Sequence, residues 1–212
     1  HGAPRERLVL GPALRFKNLI SKCNTDQVKS SSKVFYKNRI LIVLPLAYSD
    51  ALELAIKSSE AIKLLVGAKM LKIGLKPHPM MSVDKLNIIE SFFKDVNYEM
   101  KIIEGSIDEV LPQYSLLITM ASGVVFDGMI EGLPVIRVGR SNGLNFDPAD
   151  FIENNFYAYR AQSIEQLNTL IGKLLLFDDE ERLKILDYGR QFVKESFTPV
   201  NEKTLQSFIN VN

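Results

Sequence analysis

Between residues 40 and 159 the chain alternates short, uninterrupted apolar runs with amphipathic stretches, and this alternation constrains the fold more than any other feature. Ile40 to Leu46, Met70 to Leu75, Tyr98 to Ile103, Ser115 to Met120 and Leu133 to Val138 read as strands, with a short sixth near Phe156 to Tyr159. Strands that are apolar on both sides need cover on both faces, and strand–helix alternation over short loops gives parallel crossovers. Leu52, Ala55, Ile56, Ser59, Ile62 and Val66 recur at helical spacing behind Ser49 or Asp50 as a cap. Leu86, Ile89, Phe93 and Val96 do the same behind Ser82. A short helix is predicted around Ile107 to Leu111, and another runs to Glu131, where Gly132 and Pro134 end it. Ser163 with Gln166 makes a capping box for a helix through Leu174, and helices over Asp178 to Phe197 and Glu202 to Asn210 follow. The expected class is α/β: a doubly wound, mostly parallel six-stranded sheet, Rossmann-like, with C-terminal helices.

The remaining composition mainly excludes. With 26 Lys and Arg against 25 Asp and Glu, the net charge is +1, so no electrostatic footprint calls for nucleic acid. The single cysteine, Cys23, forbids an internal disulfide and a multi-cysteine metal site, which fits a reducing compartment. Its plain reading is a small residue in a loop or at a helix end. The longest nearly apolar stretch, Ser115 to Phe126, is too short to cross a bilayer and is broken by Ser122 and Gly123. His1 to Arg7 is polar and contains Pro4, unlike a signal peptide, and the absence of an initial Met suggests a piece of a longer protein. Val28 to Ser32 reads as a polar linker, dividing residues 1–32 from a sheet domain over 33–200 and a last helix over 201–212.

Ligands of open parallel sheets bind beyond the carboxyl ends of the strands, near the switch in strand order. The informative positions are therefore Tyr48 and Ser49, Lys76 to Pro79, Glu104 and Gly105, Ala121 to Gly123, and Arg140 to Asn145. His78, the only internal histidine, stands between Pro77 and Pro79, which restrict the backbone around it. With Lys76 beside it, the imidazole suits a phosphate contact or protonation of a departing phosphate; a solvent-loop histidine is the plainer alternative. The Ala121-Ser122-Gly123 turn offers a hydroxyl, backbone N–H groups and room for close approach, although any strand-to-helix crossover needs such a turn. Asp127 and Glu131 share a helix face. Asp127 is the better placed to accept ribose hydroxyls, and Glu131 suits solvent. There is no G-x-G-x-x-G after the first strand, no G-x-x-x-x-G-K-[ST] and no G-x-S-x-G elbow.

Ser106 to Val138, SIDEVLPQYSLLITMASGVVFDGMIEGLPVIRV, resembles the donor-site region of GT-B glycosyltransferases. There a strand ends in a Ser- or Gly-containing turn, a helix carries an acid, and a Gly-x-Pro step opens the next strand. Lys76-Pro77-His78-Pro79 is similar to the His-Pro motif of bacterial sialyltransferases, capsule Kdo transferases and CDP-glycerol glycerophosphotransferases. Their paired Ser-Ser or Ser-Thr step reads Ala121-Ser122 here, so one hydroxyl is missing. The opening GAPRERLVLGPALRF looks like the crossing between the two domains of such enzymes.

The resemblance implies the donor-nucleotide-binding half of a glycosyltransferase or polyol-phosphate transferase of surface polysaccharide synthesis. It implies a CMP- or CDP-activated donor, with UDP and GDP left open by Ala121. It implies His78 as the catalytic residue, Lys76, Ser122 and Gly123 on the donor phosphate, and Asp127, Glu104 and Met120 around ribose and base. It further implies no metal or other cofactor, and a glycan or lipid-linked acceptor held by a preceding domain. The expected location is cytoplasmic, extending to the inner face of the membrane by peripheral association of the whole protein. A UDP-GlcNAc 2-epimerase-like enzyme and a non-catalytic nucleotide-binding domain are the two alternative readings.

Overall fold

The computed structural model describes residues 11–24, 35–65, 71–94, 98–142, 147–150, 152 and 157–209. Strands β1 (Arg39–Val43), β2 (Lys72–Lys76), β3 (Glu99–Ile102), β4 (Leu116–Thr119), β5 (Val135–Val138) and β6 (Ala158–Ala161) form one sheet in the order β3-β2-β1-β4-β5-β6. Every pairing is parallel. The helices are α1 (Lys17–Asn24), α2 (Tyr48–Lys63), α3 (Val83–Ser91), α4 (Ile107–Val110), α5 (Val124–Ile130), α6 (Ile164–Leu174), α7 (Asp179–Ser196) and α8 (Glu202–Ile209). This is the doubly wound α/β sheet that the alternation predicts.

Strand alternation sorts the side chains into two cores. Ile40, Ile42, Ile73, Leu75, Leu116, Ile118, Ile136 and Val138 face α2, α3 and α6. Leu41, Leu117 and Val135 face the other way, against α1, α4, α5 and α7. On that second face Gly74 leaves room for the Tyr114 ring, whose hydroxyl would collide with a Cβ there. At the end of α5, Gly132 adopts φ +74, the left-handed turn expected of a helix-terminating glycine.

Local chemistry shifts several expected boundaries. β1 stops at Val43, although the Leu44 N–H still donates to the Lys76 carbonyl; Pro45 ends the ladder and Leu46 is exposed. α2 starts at Tyr48 behind Ala47, which has no side-chain acceptor to cap it, and Asp50, inside the first turn, pairs with Arg140. Ser82 holds the cap position of α3, but its side chain makes no capping bond. Ser163 accepts the Gln166 N–H at 3.2 Å, whereas the Gln166 side chain reaches back to the Gln162 N–H rather than to Ser163. Reciprocal boxes form instead at Ser106 with Glu109 and at Asp178 with Glu181. The sixth strand begins at Ala158, later than expected, because Tyr157 takes a left-handed φ of 58° before it. Phe156 lies outside the described residues, as do the linker at 28–32 and the opening residues 1–10.

Residues 11–24 pack onto the second core. Ala13 donates to the Thr198 carbonyl at 3.0 Å, and Leu19, Ile20 and Cys23 are buried there. Cys23 is thus a small core residue, next to last in α1.

Candidate functional site

The chain leaves β1 outward to β2 and β3, then crosses back to β4 on the other side of β1. The loops after β1 and β4 therefore part company, which opens a crevice at the carboxyl ends of these strands. The register sets Val43 of β1 opposite both Lys76 of β2 and Thr119 of β4, so the three strands end level. Beyond them lies a cavity of about 490 Å³. Its walls carry Lys76 from the end of β2, His78 from the loop after it, Ser122 from the β4 turn, Asp127 from α5, and Arg15. Val43, Pro45, Ile107 and Val124 supply apolar wall. A few converging polar groups in an apolar cavity of this size is the usual composition of a small-molecule site.

His78 is held by its own turn. Its Nδ1 accepts the Met80 N–H at 3.2 Å, and its carbonyl accepts the Met81 N–H at 2.9 Å. With Nδ1 occupied as an acceptor, the neutral ring carries its proton on Nε2, which is left as a donor. Pro77 and Pro79 flank it in the cavity wall. Lys76 donates from Nζ to the Gly105 carbonyl, tying the β2 loop to the β3 loop.

The β4 turn is tight. Ala121 sits at φ 46°, a left-handed conformation costly for a residue with a side chain. Ser122 Oγ accepts the Val124 N–H at 3.4 Å, and no side chain caps α5 from Gly123. Because α5 has only seven residues, its dipole is short, and the electrostatics of the cavity rest mainly on side chains. Gly123 lies in an adjoining cavity of about 220 Å³ that shares Arg15, Ile107 and Asp127 with the larger one.

Burial pushes the Asp127 carboxyl up to about 6, with the nearby Asp108 charge adding to the shift and Lys22 and Arg15 opposing it. Lys22 itself is engaged: its Nζ lies 2.8 Å from Asp108 and 3.6 Å from Glu131. Glu131, expected on a solvent face, is therefore a half-buried partner of Lys22. Asp127 has no ion-pair partner within 4.0 Å among the described residues, so its charge faces the cavity without one.

The structure thus brings Lys76, His78, Ser122 and Asp127 around one cavity, with Gly123 in its annex. Two expected site residues are elsewhere. Met120 is only 1% exposed and belongs to the core under α2, α3 and α6. The strand pleat turns it there with Leu116 and Ile118, away from the cavity face. Glu104 is exposed on the β3 loop and lines neither cavity. The rim after β5 is closed by ion pairs: Arg140 pairs with Asp50, and Glu53 accepts the Ser141 N–H at 2.6 Å and pairs with Lys57 at 2.7 Å. Arg15 lines both cavities and was not expected. It reaches them from outside the sheet, where strand-end reasoning does not look; its only local mark is a cation in the Gly-Pro segment before the first helix. Among the described residues, no three His, Cys, Asp or Glu group to hold a metal ion, and no helix is long and apolar enough to cross a membrane.

No family model matches the chain. No curated protein matches it in sequence. Solved structures do match. A TarM mutant of S. aureus, in complex with fondaparinux, α-GlcNAc-glycerol and UDP, is similar at TM-score 0.61 and 18% identity, over 84% of this chain and 36% of that one. WaaG, a glycosyltransferase involved in lipopolysaccharide biosynthesis, is similar at TM-score 0.58 and 14% identity, over 100% of this chain and 58% of that one. Anabaena HepE, in complex with UDP and glucose, is similar at TM-score 0.58 and 12% identity, over 90% of this chain and 50% of that one. This chain therefore spans between about a third and three fifths of these three proteins. At such identities the likeness is one of fold, the Rossmann-like α/β fold that the alternation of strands and helices predicts.

Proposed function

We propose that this chain is the donor-binding domain of a glycosyltransferase or polyol-phosphate transferase, and that the cavity beyond β1, β2 and β4 grips the nucleotide part of an activated donor. The observation that carries the reading is the gathering of Lys76, His78, Ser122 and Asp127, from two segments about fifty residues apart in sequence, around that one cavity.

In this reading the bond from the transferred group to the donor phosphate breaks, and negative charge grows on the leaving nucleotide. His78 meets that charge with the proton on Nε2, Lys76 adds a cation, and the Ser122 hydroxyl donates a hydrogen bond. Asp127, ionised at neutral pH, accepts the ribose hydroxyls. These protein groups take the place of a metal on the phosphate. The group that activates the acceptor belongs to another part of the protein, so this chain alone binds nucleotide and turns over poorly.

The His-Pro segment favours a CMP or CDP donor. UDP is the second reading, because two of the similar structures hold UDP. We assign the product to bacterial surface polysaccharide and the reaction to the cytoplasmic side of the membrane.

Titration calorimetry of CMP, CDP, UDP and GDP against this chain tests the proposal. At least one is expected to bind with a Kd below about 1 mM. Binding by none ends the donor-site reading. An affinity that His78→Ala leaves unchanged removes the role given to the histidine and spares the site.

A further inference from the structure

We propose that Arg15 is a further phosphate-contacting residue of the cavity, seated there by an aromatic triangle on the far side of α5. The inference rests on the donor-site reading and adds to it a group from outside the strand ends.

The placement is specific. Arg15 lines both the larger cavity and its annex, along with Asp127. A Cβ on Gly123 would stand 3.1 Å from an Arg15 guanidinium nitrogen, so the cation lies directly over the β4 turn that presents Ser122. Arg15 makes no ion pair with a described residue, and its guanidinium lies 5.6 Å from the centroid of the Phe16 ring. Lys22, the other cation near Asp127, is occupied by Asp108 and Glu131. Arg15 is thus the cation left facing the cavity from this side, opposite Lys76.

The segment that carries it is anchored. The Phe16 ring stands edge-on to Phe126 at 5.6 Å and tilted against Phe197 at 4.4 Å, and Phe126 meets Phe197 at 5.2 Å. Phe126 directly precedes Asp127, so one cluster fixes the backbone of both the cation and the carboxylate. The Ala13 bond to Thr198 holds the same segment one turn earlier. A guanidinium delivered on a fixed backbone offers a planar fork of donors, which matches phosphate oxygens better than a mobile ammonium does.

The test compares Arg15→Ala with Lys17→Ala, which removes the same charge two residues away from an exposed position that lines neither cavity. Affinities for CDP, UDP, cytidine and uridine are measured for both variants and for the unaltered chain. Arg15→Ala is expected to weaken the better-bound diphosphate by at least about tenfold, the loss of one charge-assisted phosphate contact. It is expected to leave the matching nucleoside within about twofold, and Lys17→Ala to leave the diphosphate within about twofold. A diphosphate affinity unchanged by Arg15→Ala, or lowered equally by Lys17→Ala, overturns the assignment of Arg15 while the donor-site reading stands. Failure of the unaltered chain to bind any of the four removes both.

Discussion

Two charges on the same face of the sheet, one buried and one half-buried, are treated differently. Under β5 and β6, Arg137 is 1% exposed, yet its guanidinium pairs with Asp147 at 2.9 Å and Asp150 at 3.1 Å and donates to the Ala158 carbonyl. Arg160 joins the same Asp150. Asp127, half-buried on α5, lines the cavity with its charge uncompensated at contact distance. The first arrangement meets a buried guanidinium with two carboxylates and a carbonyl and so ties strand to loop. The second leaves a demand that only an incoming group can meet. Burial of charge alone therefore does not mark a site; burial without a partner, against a cavity, does.

Breaking the closed network should give the largest effect. Arg137→Leu leaves Asp147 buried without its cation and is expected to cost about 3–5 kcal/mol in urea unfolding, with any remaining folded protein keeping its nucleotide affinity. A loss below about 1 kcal/mol would show that the pair is not what binds this loop to the sheet.

The open carboxylate should behave in the opposite sense. A carboxyl raised in the folded state from 3.8 to about 6 gives stability that is fully present below pH 3.8 and lost as pH rises through 6. Asp127→Asn is therefore expected to stabilise the protein by about 2 kcal/mol at pH 8, with the gain vanishing near pH 4, and to weaken nucleotide binding. Thermal unfolding across this pH range reads the first effect and calorimetry the second. A stability difference independent of pH would contradict the burial of an unpaired charge.

Smaller effects sharpen the contrast further. Ser122→Ala removes the acceptor of the Val124 N–H and should cost about 1 kcal/mol while also lowering affinity. His78→Ala should change stability by no more than about 0.5 kcal/mol, since the ring's described bond is confined to its own turn, even though it acts on the ligand. A destabilisation as large as that of Arg137→Leu would move His78 from the open class to the closed one.

How far these features are legible in sequence depends on their range. The strands and helices follow from local periodicity, and Gly132 follows from the need for a left-handed turn after α5. The cavity's His78, Lys76, Ser122 and Asp127 are legible because a parallel sheet gathers strand ends whatever the helices do. Met120 could have been placed correctly by parity alone, as it lies two residues from Ile118 and four from Leu116 on an alternating strand. Ala121 gives no warning of its positive φ, since nothing in its side chain prefers that conformation. Arg15 and the pairing of Arg140 with Asp50 are tertiary events: 90 residues separate the latter partners, and no periodicity connects them. The shift of the sixth strand arises in the same way, from a single backbone angle at Tyr157.

The bond from Ala13 to Thr198 and the ring contact from Phe16 to Phe197 join an early segment to a late one, beside the cavity and apart from the sheet. Mechanically this is a hinge pin through two leaves. Through Phe16 this junction bears on Arg15 and so on the wall over the β4 turn. The floor of the cavity is built on the ends of the strands, and its side wall on three phenylalanine rings.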